Sequence, residues 1–183
     1  MPSGLTSRGP HIFACVAECR MESNAEVPMS KSKQPKRVKS PGRTQQYAAL
    51  PVRFNGDGRL EVLLLTSRGT RRWVIPKGWP MPKLAPSAAA AREAYEEAGI
   101  EGIIRRGVPV GNYHYAKNVE AGQLPIKVKV FLLRVERQLD AWPEQAERET
   151  RWFSPEEAAE LVAEPELAAI LLSARDIVAR AGR

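Results

Sequence analysis

The order of its apolar segments predicts an α+β chain: a mixed sheet with helices packed on its faces. Three observations carry this. The turn Asn55-Gly56-Asp57-Gly58 separates two strand-like runs. An alanine-rich helical run with a glycine stop follows them. Further alternating segments come next, and two helical runs close the chain.

Residues 47–54 read as the first strand and 60–66 as the second, so the turn between them makes a hairpin. After a loop at 67–70, residues 72–75 form a short strand. The Pro- and Gly-rich stretch 76–86 is expected to be a loop of fixed backbone shape. Residues 87–98 are the strongest helix, with Ser87 as the expected N-cap, four alanines in the first turns and Gly99 where a C-terminal stop belongs. More β structure is expected over 103–116. It continues over 125–135, alternating around Val128, Val130 and Leu132, and ends at 149–153. Helices over 155–162 and 165–181 complete the order.

The 183 residues, 43% hydrophobic, suit one domain with some excess at the ends. No apolar run approaches the roughly 18–20 residues of a membrane span, so no membrane partner is expected. The net charge of +7 is uneven: residues 1–46 hold eight Lys/Arg against three Asp/Glu, and the rest is nearly balanced. Residues 1–46 are therefore read as a disordered basic leader and 47–183 as the folded domain. Met21 and Met29 are alternative expected starts of the natural chain. His11, Cys15 and Cys19 fall one ligand short of a structural zinc site and read as stray side chains in that leader, so cytoplasm is the default compartment. Because the excess charge lies mainly in the leader, nucleic acid is not the expected partner.

Glu93, Glu96 and Glu97 stand at i, i+3 and i+4, and so share one helix face. Their mutual repulsion is relieved by a hard cation such as Mg²⁺, which shares its shell between carboxylates, water and phosphates. An ordinary solvated helix accounts for the same three residues taken alone. The spacing around them is more specific. Gly78 is followed, after thirteen residues, by Arg92-Glu93-Ala94-Tyr95-Glu96-Glu97-Ala98-Gly99-Ile100. This resembles the Nudix box, G-x5-E-x7-R-E-U-x-E-E-x-G-U with U aliphatic. There are two departures: Leu84 stands where the box has its first glutamate, and Ala94 is smaller than usual.

The resemblance implies a Nudix-like α/β/α sandwich with a mixed central sheet, and Mg²⁺-dependent hydrolysis of a diphosphate linkage, with Mn²⁺ as the alternative ion. It makes Glu93 and Glu97 the principal metal ligands. Glu96 becomes a further ligand or a residue that orients or deprotonates water, and the Lys77 carbonyl completes the metal shell. Arg92 is implied to hold a catalytic glutamate, and Gly78 and Gly99 to be the fixed glycines. The proton acceptor is left open between Glu96 and Glu97, with Glu144, Glu147 and Glu149 as outside candidates. Leu84 is expected to change loop packing rather than abolish activity.

The stretch from Arg71 to Pro80, with Trp142 and the stretch from Arg151 to Ala158, resembles the diphosphoinositol polyphosphate phosphohydrolase subgroup. That implies a polyanionic small-molecule substrate, a diphosphoinositol polyphosphate or a diadenosine polyphosphate. Residues 51–83 agree, with seven Lys/Arg against Asp57 and Glu61. Arg68, Arg71, Arg72, Lys83 and Lys117 are the candidate substrate contacts. Trp73, Trp79 and the run Tyr113-His114-Tyr115 are aromatic candidates for the cleft, more often packing residues. Three alternatives compete: a Nudix hydrolase of nucleoside diphosphate derivatives or RNA 5′ ends, a non-catalytic Nudix-fold binding module, and a nucleic-acid binder led by the basic tail.

Overall fold

The computed structural model describes residues 44–119 and 122–182. The leader expected over 1–46, with His11, Cys15, Cys19 and both internal methionines, lies outside them but for its last three residues.

Eight strands form one mixed sheet. They are β1 (Gln45–Phe54), β2 (Leu60–Thr66), β3 (Trp73–Val74), β4 (Lys77–Gly78), β5 (Ile100–Ile104), β6 (Gly111–Val119), β7 (Gly122–Gln138) and β8 (Thr150–Phe153). The main order is β3-β2-β1-β7-β5, with β4 on β1, β6 on β7 and β8 on β2. β1 and β7 run parallel at the centre, from Gln45 opposite Lys127 to Val52 opposite Arg134. The other named strand pairs are antiparallel.

Side-chain alternation along the central strands builds two cores. Ala48, Leu50 and Val52 of β1, with Val128, Val130 and Leu132 of β7, face one side. That side is covered by α2 (Pro155–Leu161), α3 (Pro165–Leu172) and α4 (Ala174–Ala181), through Ala158, Leu167, Leu171, Ala174 and Ile177. Ala49, Leu63, Leu65, Phe131 and Leu133 face the other, where Ala90, Ala94 and Ala98 of α1 (Pro86–Ala98) pack against them. The expected α/β/α sandwich is what forms. The small Ala94 has a physical reason: it is fully buried under the sheet, where alanine lets the helix approach closely.

Several boundaries differ from the sequence reading. β1 starts two residues early, because Gln45 and Gln46 already pair with β7 and buried Gln46 accepts a 2.8 Å bond from the Tyr115 hydroxyl. The loop 76–86 contains β4, too short to show periodicity. The stretch 103–116 divides between two strands that follow one another along the same edge of β7, the edge away from β1. The final helix breaks at Ser173, whose hydroxyl bonds the Ala169 carbonyl. Ser87 does not cap α1: the cap is Ala85, Pro86 opens the helix, and Ser87 is buried inside its first turn. Ser154, by contrast, caps α2 in a complete capping box with Glu157.

Gly99 ends α1 in the left-handed region, at φ 66°, and its amide returns to the Tyr95 carbonyl. A Cβ there would stand 2.7 Å from the Trp142 ring. Gly99→Ala is therefore expected to destabilise the fold by about 1–2 kcal/mol from the backbone alone, with the Trp142 clash added. Urea unfolding would show a lowered midpoint at unchanged slope.

Candidate active site

The carboxylates of α1 meet the short strand β4 across the front of the sheet. The Ala49 amide bonds the Pro76 carbonyl at 3.0 Å, making that a hydrogen-bonded pair of the β1–β4 ladder. Antiparallel alternation then makes Ala48 opposite Lys77 a non-hydrogen-bonded pair, so the amide and carbonyl of Lys77 turn away from β1. The amide donates to Glu97 Oε2 at 3.0 Å. The Lys77 carbonyl thus opens on the same side as the α1 carboxylates.

Each glutamate has a different setting. Glu97 is only 5% exposed and is gripped by the Arg148 guanidinium. Burial raises its carboxyl above the ordinary value, while Lys77 and Arg148 pull it down. Glu96, nearer the surface, is held by Arg92 Nε at 2.5 Å. Glu93 lies against Gly78, where any Cβ would overlap its carboxylate. Among the described residues it has no cation of its own in ion-pair contact. Burial first, then the charges of Glu97, Glu96 and Glu144, push its carboxyl up to about 7.

Arg148 went unnoticed in the sequence. It lies after a short 3-10 turn (Gln145–Glu147), with its side chain nearly buried. It holds Glu97, takes Glu144 at 2.7 Å and donates to the Thr66 carbonyl at 3.2 Å. A lone arginine in a polar loop carries no periodic or motif signal. Its only trace was Glu144, four residues before it. Of the three acids named for that loop, Glu144 joins the cluster, and its amide bonds the Glu96 carbonyl at 3.1 Å. Glu147 turns to Arg68 and Glu149 to Arg151.

The candidate substrate residues separate. Arg72 and Lys117 line one pocket of about 220 Å³ together with Lys77, Tyr113 and Tyr115. Arg68 and Arg71 instead engage Glu147, through its carboxylate and its carbonyl. Lys83 is exposed on the loop before α1, outside this pocket. Alternation along β6 sends Tyr113 and Tyr115 into the pocket and His114 outward, to Glu166. Trp73 is a packing residue, edge-on to Phe153 at 5.2 Å. Trp79 has the Lys117 ammonium 5.3 Å from its ring. Leu84, 44% exposed, lines a different hollow beside Arg92 and Tyr95, away from the carboxylates.

The NUDIX domain profile matches residues 44–173. The chain belongs to the Nudix family. Nudix hydrolase 13, mitochondrial, of Arabidopsis thaliana is 38% identical over 111 residues, which span 57% of this chain and 54% of that protein. Diphosphoinositol polyphosphate phosphohydrolase 3-alpha of Mus musculus is 34% identical over 108 residues, 57% of this chain and 62% of that protein. The matched segment thus spans little more than half the length of these relatives. Among solved structures, a C. elegans Ap4A hydrolase binary complex superposes with TM-score 0.56 at 21% identity, over 74% of this chain and 98% of that one. The last comparison bears on the Nudix fold alone.

Among the described residues, no three His, Cys, Asp or Glu side chains converge into a ready metal cage. In this Nudix domain Glu97 is turned to Arg148 and Lys77, and Glu96 to Arg92. Mg²⁺ does not require such a cage, because one or two carboxylates with water and substrate phosphate suffice. Glu93, raised first by burial and then by its acidic neighbours, and the turned-out Lys77 carbonyl are oxygen donors suited to that ion.

An acid whose folded-state value lies above its ordinary 4.5 destabilises the fold as it ionises. The cost is absent below that value, grows as pH rises toward about 7, and is constant above. Glu93→Gln is therefore expected to raise the melting temperature of metal-free protein near pH 8 and to leave it unchanged near pH 4. Thermal melts at the two pH values check this, and an equal shift at both would remove the charge explanation.

Proposed function

We propose that this chain is a pyrophosphohydrolase that splits a diphosphate linkage in a phosphate-rich small molecule, with Mg²⁺ as the ion and Mn²⁺ as the alternative. The observation that carries the reading is the placement of Glu93 on Gly78 beside the Lys77 turn, with Glu96, Glu97 and Glu144 around it. Such a cluster is costly to a purely structural protein, and a divalent cation held by these residues would offset the cost.

The chain's own residues divide the work. Glu93 and the Lys77 carbonyl offer oxygen ligands, and Glu96 and Glu97 complete or orient that shell. Arg92 and Arg148 fix the two latter carboxylates. A bound divalent cation lowers the pKa of water and offsets charge on the phosphate oxygens. A carboxylate beside the ion accepts the proton of the attacking water. Glu144 joins Glu96 as a candidate for that role, because it is less buried than Glu97 and its second oxygen has only a 3.5 Å contact, to Arg68. Arg72 and Lys117 bind further phosphates. The relatives named for diphosphoinositol polyphosphate, together with the cationic pocket, support that substrate type or a diadenosine polyphosphate.

Glu93→Gln is the variant of choice, because Glu97→Gln would also remove one of the two carboxylates that hold the buried Arg148 and so disturb the fold as well as the site. With Mg²⁺, the wild type is expected to cleave one class in a panel of diphosphoinositol polyphosphates, diadenosine polyphosphates, nucleoside diphosphate sugars and triphosphorylated RNA. Glu93→Gln is expected to lose roughly 10²–10³-fold in kcat, the scale of removing one charge-stabilising group. A folded wild type that cleaves nothing would mark a binding module instead.

Gly78→Ala gives an independent check. The obstructing atoms belong to a flexible side chain, so Glu93 swings aside and the strand keeps its shape. Activity is expected to fall about 100-fold, the scale of misplacing a reacting group by an ångström, with little change in melting temperature. A variant that keeps full turnover would show that the seat of Glu93 is unimportant.

A further inference from the structure

The pocket beside the carboxylates is lined by two residues that each carry a buried polar atom without a partner among the described residues. Glu164 stands at the N-cap of α3, yet its side chain does not cap the helix. It is 9% exposed and lines the pocket. Oε1 lies 3.4 Å from Arg72 Nη1, and Oε2 has no partner. Tyr113, only 1% exposed, lines the same pocket, and its hydroxyl is also unpartnered. Burying an oxygen without a hydrogen bond costs about 1–3 kcal/mol. Two such atoms on residues lining one pocket point to something that satisfies both.

The rest of the lining limits what that is. Arg72, Lys77 and Lys117 are cationic, while Val74 and Tyr115 supply an apolar wall and a ring. Tyr115 has its hydroxyl committed to Gln46, so its ring rather than its hydroxyl is on offer. A carboxylate oxygen accepts hydrogen bonds and repels phosphate. Tyr113, held neutral by burial and by Glu164, can donate as well as accept. The pocket therefore joins a cationic lining, suited to phosphate, to a buried place that suits a flat or ring-shaped group bearing a hydroxyl or amine. Lys77 links it to catalysis, since its amide holds Glu97.

We propose that Glu164 and Tyr113 are specificity-determining residues that receive a neutral hydrogen-bond-donating group, such as a nucleoside sugar or base, and reject a phosphate there. Within the proposed function, on which this rests, it favours nucleoside-capped polyphosphates over densely phosphorylated rings.

Two probes without a diphosphate bond separate this from turnover: adenosine monophosphate and inositol hexakisphosphate, each titrated calorimetrically into the full chain. The wild type is expected to bind adenosine monophosphate. Glu164→Gln is expected to weaken it at least fivefold and to tighten inositol hexakisphosphate by a similar factor. Tyr113→Phe, which changes no charge, is expected to weaken adenosine monophosphate severalfold and leave inositol hexakisphosphate alone. That distinguishes a ligand contact from mere release of Arg72. In hydrolysis, the ratio of kcat/KM for diadenosine tetraphosphate over a diphosphoinositol polyphosphate should fall at least tenfold in Glu164→Gln. If wild-type protein hydrolyses its substrate but both variants keep the wild-type preference, the two oxygens hold only buried water. The inference then falls while the proposed function stands. If nothing is hydrolysed but the binding pattern appears, the reverse holds. Failure of the wild type to bind adenosine monophosphate overturns the inference.

Discussion

From the last turn of α1, the Glu97 carboxylate ties its helix to two other parts of the chain at once. One oxygen takes the amide of Lys77, fixing β4 against the helix. The other takes Arg148, whose guanidinium also holds Glu144 and the carbonyl at the end of β2. Helix, short strand and the loop before β8 are thereby set by one buried, charge-assisted node. Such a node is expensive to leave half-made, so its geometry tends to be all or nothing. Everything nearer the surface depends on it. Glu93 rests on Gly78 because β4 is held there, and Glu144 approaches because Arg148 draws it in.

The central strands and the α1 helix were legible because burial imposes a period that composition reveals. β2 was found at its true ends, since a tight turn and a loop bracket it. The glutamates were legible because a helix keeps fixed spacing and Gly78 and Gly99 mark both sides. What escaped was of another kind. β4 has two residues, too few for any period, and its pairing comes from the tertiary fold. Ser87 looks like a cap, but Pro86 already occupies the first helical position, where its missing amide costs nothing. Arg148 and Glu164 sit in irregular segments and gain their meaning only from partners far along the chain.

The cationic run over 51–83 shows how loosely sequence neighbours map onto surface neighbours. Arg53 lies over the Trp152 ring at 3.9 Å and pairs with Glu61, on the strand pair β1–β2. Arg68 and Arg71 secure the loop that carries Glu147. Only Arg72 and Lys77 from that run reach the pocket, joined by Lys117 from β6. A local charge excess thus becomes partly scaffold and partly cleft. The cleft, in turn, is not uniformly positive, because Glu164 is placed among its cations.

The parallel pairing of β1 with β7 bears on how the chain reaches this state. β1 is an early strand of the domain, and its central partner is made only after the hairpin, α1, β5 and β6 have been synthesised. Until β7 emerges, the edge of β1 that faces it presents unpaired amides and carbonyls, a template for other chains. Non-local parallel pairing is also intrinsically slow, because loop closure comes before any contact rewards it. A nascent chain stalled before β7 would hold the β1–β2 hairpin with one hydrogen-bonding edge open, making that interval the window for misassembly during translation.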